Sequence, residues 1–139
     1  TIFMSEQSLS GSCLCGGVRY TATGESRAFF HCHCSRCRKA SGTGHASNLF
    51  VEGALNWESG EDLINSFKPP DAERFTNTFC RTCGGRVPRY IESMGMVFIP
   101  AGSLDDEPNL GPQARIFRGS RAAWSCDSSA LPEFDEYAK

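Results

Sequence analysis

The chain has 139 residues, 40% of them hydrophobic, which suits one domain with a modest core. Its net charge of −2 and pI near 5.9 leave no global basic surface for nucleic acid or anionic lipid. No apolar run reaches membrane-spanning length, and "TIFMSEQSLSGS" has neither the basic nor the apolar region of a secretory signal, so a cytoplasmic protein is expected. Met4 reads as a natural start, with Thr1 to Phe3 set aside. Residues 1–8 form an extension ahead of a domain over 9–137.

In chain order, the first feature is a cysteine pair. "SCLCGG" places Cys13 and Cys15 before two glycines, which let the chain turn tightly behind the sulfurs with backbone amides directed at them. "VRYTAT" alternates Val18, Tyr20 and Ala22 with Arg19, Thr21 and Thr23, the pattern of a half-buried strand. "FHCHCSRCRKASGTGH" then brings Cys32, Cys34 and Cys37 close together. Side chains alternate faces in an extended C-x-C, so His31 and His33 should point away from whatever Cys32 and Cys34 hold. "SRCRKASG" is predicted to be a helix of one or two turns, with Ser35 as cap and Gly42 as stop. Short strands are predicted in "SNLFVE", "LNWES", "DLINSF", "ERFTNTF", "RYIE", "MVFIPAG" and "ARIF", divided by Gly, Pro, Asp or Ser turns. A second pair, Cys80 and Cys83 in "CRTCGG", repeats the glycine turn of the first. "SLDDEPNLGP" reads as a loop in which Asp105 and Asp106 form turns, and "LPEFDEYAK" as a mostly polar tail. Phe29, Phe30, Phe50, Phe67, Phe98, Ile99 and Phe117 are the expected core, and the expected class is mostly β.

Seven of the eight cysteines fall in these clusters, and Cys126 stands apart as a passive thiol. Disulfide frameworks scatter their cysteines, whereas metal sites cluster them because two sulfurs must reach one ion at about 2.3 Å. Cys13, Cys15, Cys80 and Cys83 would complete a closed structural site that staples the early chain to its middle. Cys32, Cys34 and Cys37 supply only three thiolates. The fourth place is expected to be open to water or a substrate thiolate, as in a catalytic or ligand-binding zinc. His45, beyond the small residues "SGTG", could fold back there, although such a histidine more often lines a site.

Taken together, "GSCLCGGVRY", "CHCSRCRKASG", "FCRTCGG", "AGSLDD", "PQARIF" and "LPEFDEY" resemble the glutathione-dependent formaldehyde-activating enzyme family, also called the GFA or centromere-protein-V-like family. The resemblance spans roughly residues 9–137 and implies a small metal-stapled β-sheet domain with a fold similar to that of Mss4. It implies two zinc ions per chain: a structural one on Cys13, Cys15, Cys80 and Cys83, and a catalytic one on Cys32, Cys34 and Cys37. It also implies carbon–sulfur lyase chemistry, in which glutathione adds reversibly to formaldehyde or a similar small electrophile to give S-hydroxymethylglutathione. Three thiolates leave the zinc centre with net charge about −1, a poor Lewis acid but a good holder of a reactive thiolate. Arg36, Arg38 and Lys39 are placed to offset that charge or to hold glutathione's carboxylates. The small-residue loop around His45 would let the tripeptide approach closely. The alternative is a non-catalytic zinc module that carries glutathione or docks a partner protein. Neither nucleic acid nor a membrane is an expected partner.

Overall fold

A computed structural model describes residues 6–125 and 130–138. Along the chain run β1 (Glu6–Ser12), β2 (Arg19–Cys32), α1 (Ser35–Ser41), β3 (Ala46–Ser59) and β4 (Ile64–Phe67). They are followed by β5 (Asn77–Cys80), β6 (Arg89–Ile91), β7 (Met96–Pro100) and β8 (Ala114–Ile116). The main sheet has the order β1-β2-β3-β7-β6 with every neighbour antiparallel, and β8 joins β2 in parallel. β4 and β5 form a separate antiparallel ribbon. The mostly β class is the expected one. No helix among the described residues is long and apolar enough to cross a membrane.

One face of the sheet carries the main core, in which Leu9, Tyr20, Leu49, Val51, Val97 and Ile99 are buried together. The ring of Tyr20 passes over Gly11, where a β-carbon would lie 2.2 Å from the ring, so only glycine fits. The Tyr20 hydroxyl shares a 2.6 Å hydrogen bond with Ser103 Oγ, and Trp57 packs edge-on to the ring at 6.2 Å.

A bulge decides what reaches the other face. The β2–β3 register shifts between Ser26 and Ala28, which leaves Arg27 as an extra residue. Before the bulge, even-numbered Tyr20 and Ala22 enter the core; after it, odd-numbered Phe29 does, paired with Leu49. Cys32 pairs with Ala46 and Phe30 with Asn48, so both cross to the opposite face. There they share a surface with Phe50, with Phe98 of β7 and with Arg89 of β6.

Several expectations change in detail. "SNLFVE" and "LNWES" are one strand, since β3 runs on through Gly53, and "VRYTAT" lengthens into β2 as far as Cys32. β1 is a strand that apolar alternation does not announce, because among its residues only Leu9 and Gly11 are buried. "ERFTNTF" becomes strand only at Asn77. α1 is capped by Cys34, whose sulfur accepts from the Cys37 amide, and not by Ser35; Gly42 ends it at φ 72° as expected. Phe67 and Phe117, expected in the core, are 59% and 63% exposed. Phe67 lies on the two-stranded ribbon, and Phe117 follows the last residue of β8 in a left-handed conformation, φ 54°. Asp105 and Asp106 accept from the Ser12 hydroxyl and the Ser10 amide, tying their loop to β1. Cys126 lies outside the described residues.

Candidate metal centres and the cavity beside them

Two sulfur clusters form, with the membership the spacing predicts. The Sγ atoms of Cys13, Cys15, Cys80 and Cys83 all lie within 4.8 Å of one another, and so do those of Cys32, Cys34 and Cys37. In the first cluster, Cys13 and Cys15 are 3.6 Å apart and Cys15 and Cys80 3.9 Å. Four sulfurs at about 2.3 Å from one ion would be about 3.8 Å apart, so this donor set fits a soft tetrahedral cation. The glycine turns do what the sequence requires. Gly16 and Gly84 take φ values of 78° and 76°, and the next amides, of Gly17 and Gly85, donate to Cys15 and Cys83 at 3.4 Å. Chiefly through the Gly85 amide, the Cys83 thiol is held down at about 6.

The three-sulfur cluster is built from the end of β2 and the start of α1. The Cys32 thiol is drawn down to about 6, first by its hydrogen bond from Cys37; the same contact, together with burial, pushes Cys37 up. One sulfur therefore ionises at its neighbour's expense, and only a cation lets all three be thiolates together. Asn48 Nδ2 supports Cys37 Sγ at 3.8 Å, while Asn48 Oδ1 is buried without a hydrogen-bond partner.

These three sulfurs line a cavity of about 610 Å³. Four arginines line it as well: Arg36, Arg74, Arg86 and Arg89. Arg36 meets Asp71 at 3.3 Å. The other three meet no carboxylate among the described residues. The Arg86 Nε donates to Asn77 Oδ1 at 2.8 Å, and the guanidinium lies 5.7 Å from the Phe98 ring centre. Burial pushes Arg86 down, opposed by attraction to Cys37, and burial likewise pushes Arg89 down. The Arg89 Nε is buried with no partner. Both remain cations, and neither has a carboxylate partner among the described residues.

The sequence matches the family described as glutathione-dependent formaldehyde-activating enzyme over residues 8–120. The chain belongs to this family. A protein of Halomonas elongata named "Putative glutathione-dependent formaldehyde-activating enzyme" is 28% identical over 130 residues, covering 84% of this chain and 78% of that protein. A crystal structure of a Rhodobacter sphaeroides protein is similar at a TM-score of 0.49 and 21% identity, covering 76% of this chain and 98% of that one.

Against this family frame, the other expected site residues separate. Arg36 lines the cavity, but Arg38 and Lys39 do not: Arg38 is half-buried with an unpartnered Nε, and Lys39 is exposed. His45 lines a different cavity, of about 510 Å³, with Ser12, Ser41, Ser47 and Asp105. It stacks on His31 at 3.9 Å and tilts against His33 at 5.4 Å. His31 pairs with Ser47 in the register, on the face away from Cys32, as alternation predicts. His33 is wholly enclosed; burial, with Arg115 beside it, keeps it below the usual imidazole range, and its Nε2 accepts from Arg115. Asn48, Arg74, Arg86 and Arg89 were missed by sequence reasoning. For Asn48 a signal existed: it is an amide directly ahead of the apolar run Leu49, Phe50 and Val51 on a predicted strand.

Proposed function

We propose that this family member adds the thiol of glutathione to a small aldehyde, formaldehyde being the one the family's name gives, with zinc in both sulfur clusters. Zinc on Cys13, Cys15, Cys80 and Cys83 would be structural, and zinc on Cys32, Cys34 and Cys37 would serve the reaction. The reading is carried by one observation: a three-sulfur cluster, one donor short of a tetrahedron, lines a cavity in which Arg74, Arg86 and Arg89 meet no carboxylate among the described residues. A metal held there by three thiolates would keep a place for a fourth and favour a bound thiol in its ionised form.

The protein's own groups have defined tasks. Arg74, Arg86 and Arg89 hold glutathione's two carboxylates, a role assigned from the sequence to Arg36, Arg38 and Lys39, of which only Arg36 lines the cavity. The thiolate attacks the carbonyl carbon, forming the carbon–sulfur bond while the carbonyl π pair moves to oxygen. Asp71 is already paired with Arg36, and no histidine lines the cavity, so the oxygen takes its proton from water. Asn48 Oδ1, buried and unpartnered, accepts from the new hydroxyl.

Calorimetry on the metal-loaded protein tests this. Glutathione should bind at least about tenfold more tightly than S-methylglutathione, which keeps both carboxylates but supplies no thiolate. The preference should grow with pH until the free thiol's own pKa is reached. Arg89→Ala should weaken both ligands by roughly three- to tenfold, and less so at high salt. Equal affinity for the two ligands would remove the mechanism. Binding as expected with no acceleration over the buffer reaction would favour a glutathione carrier.

A further inference from the structure

Formaldehyde has no apolar group, yet the cavity has an apolar wall that the proposed chemistry leaves unused. Phe50 and Phe98 pack edge to face at 5.5 Å on the strand surface next to the sulfurs. Ile91 and Met94 continue that wall from β6 and the turn after it, and Met94 is half exposed. Phe117 lines the same cavity. It is the only non-glycine residue with positive φ among the described residues, and it leaves a large ring exposed at the cavity. A bulky aromatic is seldom kept in that conformation without cause, and strain of this kind gathers at ligand sites. A solvent-exposed ring at this position gives the protein no core, and it excludes water only when something apolar lies against it.

The size of the cavity points the same way. At about 610 Å³ it lies in the middle of the range for drug-sized ligands, and both arginines and aromatic rings line it. Glutathione accounts for the arginines and carries no large apolar group of its own. What meets the rings must therefore arrive with the other reactant.

We propose that the electrophile this site joins to glutathione is an aldehyde bearing an aromatic ring, seated against Phe50, Phe98 and Phe117. This rests on the glutathione reading above and names its second substrate. The step balances without a redox partner. The thiol's sulfur bonds to the aldehyde carbon, the carbonyl becomes a hydroxyl, and the proton lost by the thiol is regained from water at oxygen. The product is the hemithioacetal of an arylaldehyde or arylalkyl aldehyde.

S-benzylglutathione and S-methylglutathione differ only in the ring, so their affinity ratio isolates the wall. By calorimetry on the metal-loaded protein, the benzyl conjugate should bind roughly tenfold or more tightly. Phe117→Ala should bring the ratio towards one; Phe117 is exposed, so its loss leaves the core intact. Phe98→Ala gives a second reading from the strand surface. In initial-rate assays, acceleration over the buffer reaction should be larger for phenylacetaldehyde than for formaldehyde. If glutathione binds but the two conjugates bind equally, or formaldehyde is accelerated more, the aromatic assignment falls and the glutathione reading stands. If glutathione itself fails to bind, both fall.

Discussion

Tyr20 carries an ionisable phenol into the sheet's core at 1% exposure, and burial pushes it up to about 12. The unfolded phenol titrates near pH 10, so between about pH 10 and 12 the unfolded chain has released a proton that the folded chain retains. Tyr20 therefore leaves stability untouched below that window and erodes it as pH rises through it, by up to roughly 3 kcal/mol. Tyr20→Phe keeps the ring over Gly11 and gives up the Ser103 bond, worth about 1 kcal/mol. The variant should be slightly weaker at neutral pH but flatter in the alkaline limb. Urea midpoints from pH 8 to 12 measure both effects, and parallel decline in the two proteins would contradict the assignment. At this scale, the pattern of "VRYTAT" shows Tyr20 as inward-facing, but the glycine beneath it comes from β1 and its Ser103 partner from the helical turn after β7.

The two cysteine clusters depend on different elements. Cys80 ends β5 and meets Cys13 and Cys15, which follow β1, so the four-sulfur site joins segments distant in sequence. Cys32, Cys34 and Cys37 close only the short link from β2 to α1, while the β2–β3 ladder holds that strand end in any case. Cys80→Ser should abolish cooperative folding or lower Tm by well over about 10 °C, whereas Cys37→Ser should cost only a few degrees. Thermal melts followed by circular dichroism decide this, and equal losses would sink the division. Local patterns made both clusters legible: a sulfur pair followed by two glycines describes its own turn, and C-x-C fixes the faces of the neighbouring histidines. The arginine wall could not be read in the same way. Arg36, Arg38 and Lys39 are adjacent to the cysteines in sequence, but Arg74, Arg86 and Arg89 reach the cavity from the loop after β4, the turn after β5, and β6. The Arg27 bulge was equally hidden, since one extra residue changes no local propensity yet decides which face Cys32 joins.

At the scale of the molecule, the sheet is a partition. Its apolar core occupies one face, and the three-sulfur cluster with its cavity occupies the other. With one short α-helix among the described residues and a small core, a chain of this size would gain much of its cohesion from a metal held by the four-cysteine cluster. Elemental analysis of protein purified without chelator should therefore find two zinc ions per chain. A chelator should remove the one at the cavity first, with little change in the far-ultraviolet spectrum, and the closed four-sulfur one only as the fold is lost. One metal per chain, or an iron–sulfur absorption spectrum, would contradict the two-ion reading.

The pairing of β8 with the end of β2 also imposes an order in time. β8 runs alongside Phe30, His31 and Cys32, and the Ile116 carbonyl accepts from the His33 amide, so the strand end bearing Cys32 gains its last neighbour from far down the chain. During synthesis at about 5–20 residues per second, Cys32, Cys34 and Cys37 emerge several seconds before that neighbour exists. The stapled quartet is complete once Cys83 has emerged, well ahead of β8. In the two-ion reading, a growing chain thus completes the four-sulfur set before β8 can back the three-sulfur one, which would favour delivery of the first ion to the staple.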